Sequence, residues 1–238
     1  MTHATPIRGR LPLAALPALM LSLAACGHDV TATGPWDYLQ PLEDASDVAW
    51  PDGTPCAETV NSLKGGANGY SYAHARSCIQ VPLAQVWAAL QNPRGLQIGF
   101  YPERNQSTCN GALDVDPSYP LSFRTQEIPR GLGSQFDFDV TFAGGPTKRD
   151  GNGVPTEYVL GYHLTRWNSS CGVDVLDGSI LFREIQPGVT GVEQIRHLNA
   201  KCKDDDWGAQ AERWVRDFHA GLLSEVHGTP VPVTCSLP

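Results

Sequence analysis

The sequence predicts an α+β domain, a series of antiparallel strands closed by a long amphipathic C-terminal helix. Three observations predict it. Phe136, Phe138, Val140 and Phe142 alternate with Gln135, Asp137, Asp139 and Thr141, the two-residue period of a strand with one apolar face. Near the end of the chain Trp207, Ala211, Trp214, Val215, Phe218, Leu222 and Val226 fall on one helical stripe. The whole is 238 residues, 41% apolar and 18% charged, enough for one sizeable core and unlike a disordered chain. With 17 Lys and Arg against 25 Asp and Glu the net charge is −8, which excludes a generally basic nucleic-acid binder.

The N-terminus is read first, because targeting segments do not belong to the fold. Arg8 and Arg10 precede an apolar stretch, Leu11–Ala25, interrupted by Pro12 and Pro17. A bilayer-spanning helix takes ~20 apolar residues, so this stretch is too short to remain as an anchor. It ends in Leu23-Ala24-Ala25-Cys26, which resembles the lipobox of bacterial lipoproteins. The resemblance implies a signal peptide over residues 1–25, cleavage before Cys26, and thioether lipidation of Cys26. It also implies a lipid-anchored place in the bacterial cell envelope. Gly27 rather than Asp follows the cysteine, which points to the outer membrane.

Residues 26–69 are rich in Gly, Pro, Asp and Thr and read as a tether followed by an irregular N-terminal arm, with Trp36, Tyr38, Leu39 and Trp50 packing on the domain. The domain proper is expected over residues 70–228, with a tail over 229–238. Tyr70 to Val81 has strand character. Pro82 suits a helix start, Leu83, Val86, Trp87 and Leu90 repeat at helical spacing, and Pro93 stops the helix. Residues 94–101 suggest a second short helix. Ala112 to Asp116 is a weak strand signal and Leu121 to Ile128 a better one. Gly144 to Pro155 reads as a long Gly/Pro loop. Tyr158, Leu160, Tyr162 and Leu164 alternate again, and Val173–Ile185 and Val189–Ala200 form a hairpin around Pro187-Gly188. Asp204, Asp205 and Asp206 supply a helix cap, and Gly228 a stop.

Little in the sequence resembles a catalytic or metal motif. A nucleophile elbow, an H-E-x-x-H pair and a P-loop are all missing, and no metal or cofactor is expected. His74, His163 and His197 each sit in a strand signal; His163 falls on the face opposite Tyr158, Leu160 and Tyr162. Glu193 and His197 share a strand face but lie ~13 Å apart along it, too far to co-ligate a metal unaided. Asp150-Gly151-Asn152-Gly153 reads as a hairpin turn rather than a calcium loop, lacking the further acidic ligands. Besides Cys26 there are Cys56, Cys78, Cys109, Cys171, Cys202 and Cys235. An even number without a C-x-x-C pair, in an exported chain, argues for disulfides rather than zinc.

The run Val81-Pro82-Leu83-Ala84-Gln85-Val86-Trp87-Ala88-Ala89-Leu90, with the element order strand, helix, short helix, strands and long C-terminal helix, resembles the START / SRPBCC superfamily. That resemblance covers residues 70–228. It implies the helix-grip fold, a curved antiparallel sheet of about seven strands around a long C-terminal helix, with a pocket between them lined by Phe136, Phe138, Val140, Tyr158, Leu160, Tyr162, Trp214, Phe218 and Leu222. It also implies disulfide pairings of Cys78 with Cys109, Cys171 with Cys202, and Cys56 with Cys235. Three functions fit: an envelope lipoprotein holding a hydrophobic small molecule or lipid, a structural or interaction module with a filled core, or a cofactor-independent cyclase-like enzyme. The first is the expectation. The oligomeric state stays open.

Overall fold

The structure is a computed structural model. It describes residues 28–29, 37–67, 69–91, 106–129, 137–168, 173–200 and 206–229. In chain order the elements are β1 (His28–Asp29), β2 (Val60–Ala67), β3 (Tyr70–Ile79), α1 (Leu83–Leu90), β4 (Gln106–Leu113), β5 (Leu121–Pro129), β6 (Asp137–Arg149), β7 (Pro155–Asn168), β8 (Val173–Gln186), β9 (Val189–Ala200) and α2 (Trp207–Val226). One antiparallel sheet runs β2-β3-β9-β8-β7-β6-β5-β4, and the two-residue β1 pairs with β7. This is the helix-grip α+β architecture that the element order predicts, with β2 as an added strand.

The inner face carries the core. Ala73, Ala75 and Ile79 of β3, Phe138, Val140 and Phe142 of β6, Tyr158, Leu160, Tyr162 and Leu164 of β7, and Ile180 and Phe182 of β8 all join one buried cluster. Ala211, Trp214, Val215, Phe218 and Leu222 of α2 join it from the other side, with Leu83, Val86, Trp87 and Leu90 of α1. Those helical positions recur three and four residues apart, so each helix buries one stripe. Burying a large apolar side chain contributes about 1.5–3 kcal/mol, which makes this layer the main source of stability. Asp206 caps α2 by accepting the Ala209 N–H at 2.8 Å, and Gly228, at φ +70°, ends it.

The outer face is covered as well. The arm, residues 37–58, lies across it. The Leu42 N–H donates to the Ser179 hydroxyl at 2.8 Å, and the Arg76 guanidinium donates to the Val48 carbonyl at 3.0 Å. Trp50 sits between two guanidinium groups, 5.0 Å from that of Arg76 and 5.8 Å from that of Arg183. Tyr38 packs so close to the sheet that a Cβ on Gly161 would stand 3.0 Å from the Tyr38 Cα. With both faces covered, β9 is buried along nearly its whole length instead of alternating.

Four expectations are corrected. The arm does not stay irregular to residue 69, because Val60–Ala67 pairs with β3 along its full length. Gly144 to Pro155 is not a long loop: β6 continues to Arg149, and only residues 150–154 turn. Gly144 allows this, because a Cβ there would collide with the Val159 carbonyl across the ladder, and Pro146 is accommodated at a bulge. The weak strand at Ala112–Asp116 lies earlier, at Gln106–Leu113, and Asp114, at φ +51°, leads into the turn after it.

The fourth correction concerns the cysteines. Cys56 is bonded to Cys78, with Cα atoms 6.0 Å apart. The expected partners, Cys235 and Cys109, are therefore excluded for these two. A Cys78–Cys109 bond would need β3 beside β4, but β2 takes that edge and β4 ends the far side of the sheet. The arm then brings Cys56 onto the outer face, where Cys78 points, and Val189, Trp50 and Ile185 bury the bond. The side chain of Cys109 lies outside the described residues, as do Cys171, Cys202 and Cys235, so the Cys171–Cys202 pairing stays an expectation. Cys26, Phe136 and the short helix at 94–101 also lie outside them.

Candidate functional site

Eight of the nine expected pocket residues are described, and the fold brings them together. Phe138 and Val140, Tyr158, Leu160 and Tyr162, and Trp214, Phe218 and Leu222 all belong to the one core cluster between sheet and α2. Their rings touch: Tyr162 lies 5.1 Å from Trp214, and Trp214 lies 5.4 Å from Phe218, between ring centroids.

One residue of this interior was missed. Arg196 lies on the inner face of β9, in the alternation Val192, Gln194, Arg196, Leu198, and is 4% exposed. Its guanidinium stands 4.3 Å from the Trp214 ring centroid and 5.6 Å from that of Tyr162. Its Nε has no hydrogen-bond partner, and no carboxylate among the described residues pairs with it. An arginine does not deprotonate in a protein. A cation–π contact contributes about 2 kcal/mol when desolvated, whereas burying an ion costs several. The rings therefore leave most of this charge uncompensated.

Further polar groups face the same interior. Gln194, fully buried, donates from Nε2 to the Val215 carbonyl of α2 at 3.1 Å, while its Oε1 has no partner. The hydroxyls of Ser77 and Thr125 are buried without a partner. Tyr162 is held by its own hydroxyl, which donates to the Ile195 carbonyl at 3.1 Å. In the sequence Arg196 stands in register with Val192 and Leu198, but β9 is buried on both faces and offers no alternation to mark the inner one.

The other expected polar residues lie on the outer face. His163 packs against the Tyr38 ring at 5.2 Å, and burial lowers its basicity while Asp177 opposes that. Glu193 pairs with Arg76 at 3.0 Å and with Arg183, so it does not approach a metal with His197. These charges wall a cleft of about 620 Å³ between arm and sheet, together with Glu43, Asp44, Lys148 and Glu157. His74 and His197 lie buried on the same face, next to Glu43. Asp150 spends its carboxylate on the N–H groups of Asn152 and Val154, at 2.8 and 2.9 Å, which is a turn and not a calcium site.

No protein-family model matches the chain, and no curated protein matches it. Solved structures resemble it in outline. The lipid transfer and protein localization domain of human StarD13 aligns with TM-score 0.48 at 11% identity, over 78% of this chain and 90% of that one. The STAR-related lipid transfer protein of Xanthomonas axonopodis aligns with TM-score 0.47 at 10% identity, over 81% and 98%. The ZhuI aromatase/cyclase from Streptomyces sp. R1128 aligns with TM-score 0.40 at 14% identity, over 66% and 91%.

Proposed function

We propose that the chain binds a hydrophobic small molecule or lipid that carries an acidic group, between the sheet and α2, with Arg196 as the counter-charge. The observation that carries this reading is a permanently charged side chain, 4% exposed, facing an apolar interior with no carboxylate partner among the described residues. A carboxylate or phosphate placed beside the guanidinium would supply the missing charge through paired, charge-assisted hydrogen bonds. Tyr162, Trp214, Phe218 and Leu222 would cover the apolar remainder.

The test uses residues 27–238 produced in an oxidising compartment. Native and denaturing mass spectrometry are compared for mass that is retained only in the native state. The protein is then titrated with a fluorescent long-chain fatty acid and with its methyl ester. A hydrogen bond to a charged group contributes about 1.5–3 kcal/mol, so the acid should bind at least about tenfold tighter, and Arg196→Gln should erase that preference. Equal affinity for acid and ester in the wild-type chain refutes the reading.

The close ring contacts favour a second reading, a filled-core envelope module in which Arg196 only stacks on Trp214. It expects no retained mass and no binding of either probe.

For location, the proposal is a lipid-anchored protein of the bacterial envelope, attached through Cys26. Its support is the pattern Arg8, Arg10, Leu11–Ala25 and Leu23-Ala24-Ala25-Cys26. The buried Cys56–Cys78 bond adds to it, since disulfides persist in oxidising compartments.

A further inference from the structure

His197 on β9 and His74 on β3 project from the outer face of neighbouring strands. Tyr72 is directly opposite His197, and His74 is the diagonal neighbour. The arm lays Glu43 over both. One Glu43 carboxylate oxygen is 3.1 Å from His74 Nε2, and the other is 3.3 Å from His197 Nε2. On their far sides the two rings meet further carboxylates. His74 Nδ1 is 2.9 Å from Asp47, and His197 Nδ1 is 3.1 Å from Asp177. Tyr70 stacks on His197 at 4.3 Å and donates its hydroxyl to Glu43 at 3.3 Å, while Tyr72 packs against His74 at 4.8 Å.

We propose that His74 Nε2, His197 Nε2 and the Glu43 carboxylate form a binding site for a divalent transition-metal ion of the zinc class. Carboxylates only accept hydrogen bonds. His74, which can give its Nδ1 proton to Asp47, then turns a bare lone pair toward Glu43, which also only accepts. Three electron-pair donors, all within 4.8 Å of one another, then face a common point that needs positive charge. His197 shows this most plainly: its side chain is 7% exposed, and its Nε2 has no hydrogen-bond partner. Metal–ligand bonds of ~2.0–2.1 Å in a tetrahedron set the donors ~3.3 Å apart, so the three groups, already within 4.8 Å of one another, need only a small adjustment to close on an ion.

The Asp47 carboxylate stands where a metal-binding histidine keeps its outer partner, which fixes the tautomer and strengthens the donor, and Asp177 adds negative charge 3.1 Å from His197 Nδ1. Two nitrogens and one oxygen suit zinc, with the fourth position free. Glu43 also lines the outer cleft, which gives an ion a way in. Because Glu43 comes from the arm and the histidines from the sheet, the ion would fasten one to the other.

The full chain in detergent, stripped with EDTA and with its free thiols alkylated, is titrated with zinc by calorimetry. The expected result is one zinc per chain, weakened at least about 10–100-fold in both Glu43→Gln and His74→Gln/His197→Gln. Glu43 is a surface side chain, so its variant decides the matter if the double variant does not fold. Replacing zinc by cobalt should give the visible absorption of a tetrahedral site in the wild-type chain. Absence of saturable binding in the wild-type chain, or unchanged affinity in Glu43→Gln, overturns the proposal.

Discussion

His219 shows what one buried ring does to stability. It sits on α2 beside the core stripe, 4% exposed, and neither ring nitrogen has a hydrogen-bond partner. Burial pushes its pKa down from 6.5 to about 4, with the backbone and the charge of Glu58 acting the other way. The unfolded chain therefore takes up a proton that the folded chain refuses. The stability of the fold with respect to this group is complete above pH 6.5 and falls as the pH drops toward 4, by about 3 kcal/mol in total. Urea unfolding across that window should show the loss in the wild-type chain and a flatter profile in His219→Leu; identical profiles would refute it. Arg196 is the same lesson with a group that cannot shed its charge. Both residues stand out in the sequence only once the face of their element is known. An arginine amid Val192, Gln194 and Leu198 is legible as an oddity, but whether it is solvated depends on which face the helix covers.

At the scale of the element, the arm is the part that the sequence concealed. Its bonds are to residues far along the chain, such as Leu42 to Ser179, 137 positions away, and no local period announces them. Its polar composition suggests a tether, yet it matches an outer sheet face that is itself charged. The strand Val60–Ala67 was hidden for a related reason: as an edge strand it buries no residue fully, and its residues, VNSLKGGA, carry no apolar–polar alternation. By contrast α1, α2 and the β8–β9 hairpin were legible, because caps, a Gly-containing turn and clean periodicity are all local signals. The Cys56–Cys78 bond ties the arm down and spans 22 residues of sequence. Such a loop contributes about 3 kcal/mol through the unfolded chain. Replacing both cysteines by alanine should lower the unfolding free energy by about that amount and open residues 37–58 to proteolysis. An arm still resistant to protease in the Cys56→Ala/Cys78→Ala chain would show that Trp50 and the ion pairs suffice without the bond.

For the whole molecule, the proposed envelope location raises the question of what would hold the chain to a membrane. Among the described residues no helix is long and apolar enough to cross one. The net charge of −8 gives no general attraction to an anionic lipid surface. The aromatic residues of α2 face inward, so they are not free to insert in the folded state. On the proposed reading, membrane affinity then resides in Cys26 alone, where several acyl chains at ~0.8 kcal/mol per buried CH₂ would exceed any contribution from the protein surface. The prediction is therefore all or none. Expressed in a bacterium, the wild-type chain should partition into the detergent-rich phase of a Triton X-114 separation and gain the mass of a diacylglyceryl group and an acyl chain. Cys26→Ala should move to the aqueous phase with its fold intact, as judged by an unchanged Cys56–Cys78 bond in peptide mapping. A Cys26→Ala chain that stays with the detergent would place the anchor elsewhere and refute lipidation as its cause. A wild-type chain found in the aqueous phase would reduce Leu11–Ala25 to an ordinary secretory signal, leaving the acidic-ligand and metal-site proposals untouched, since both rest on residues of the folded body.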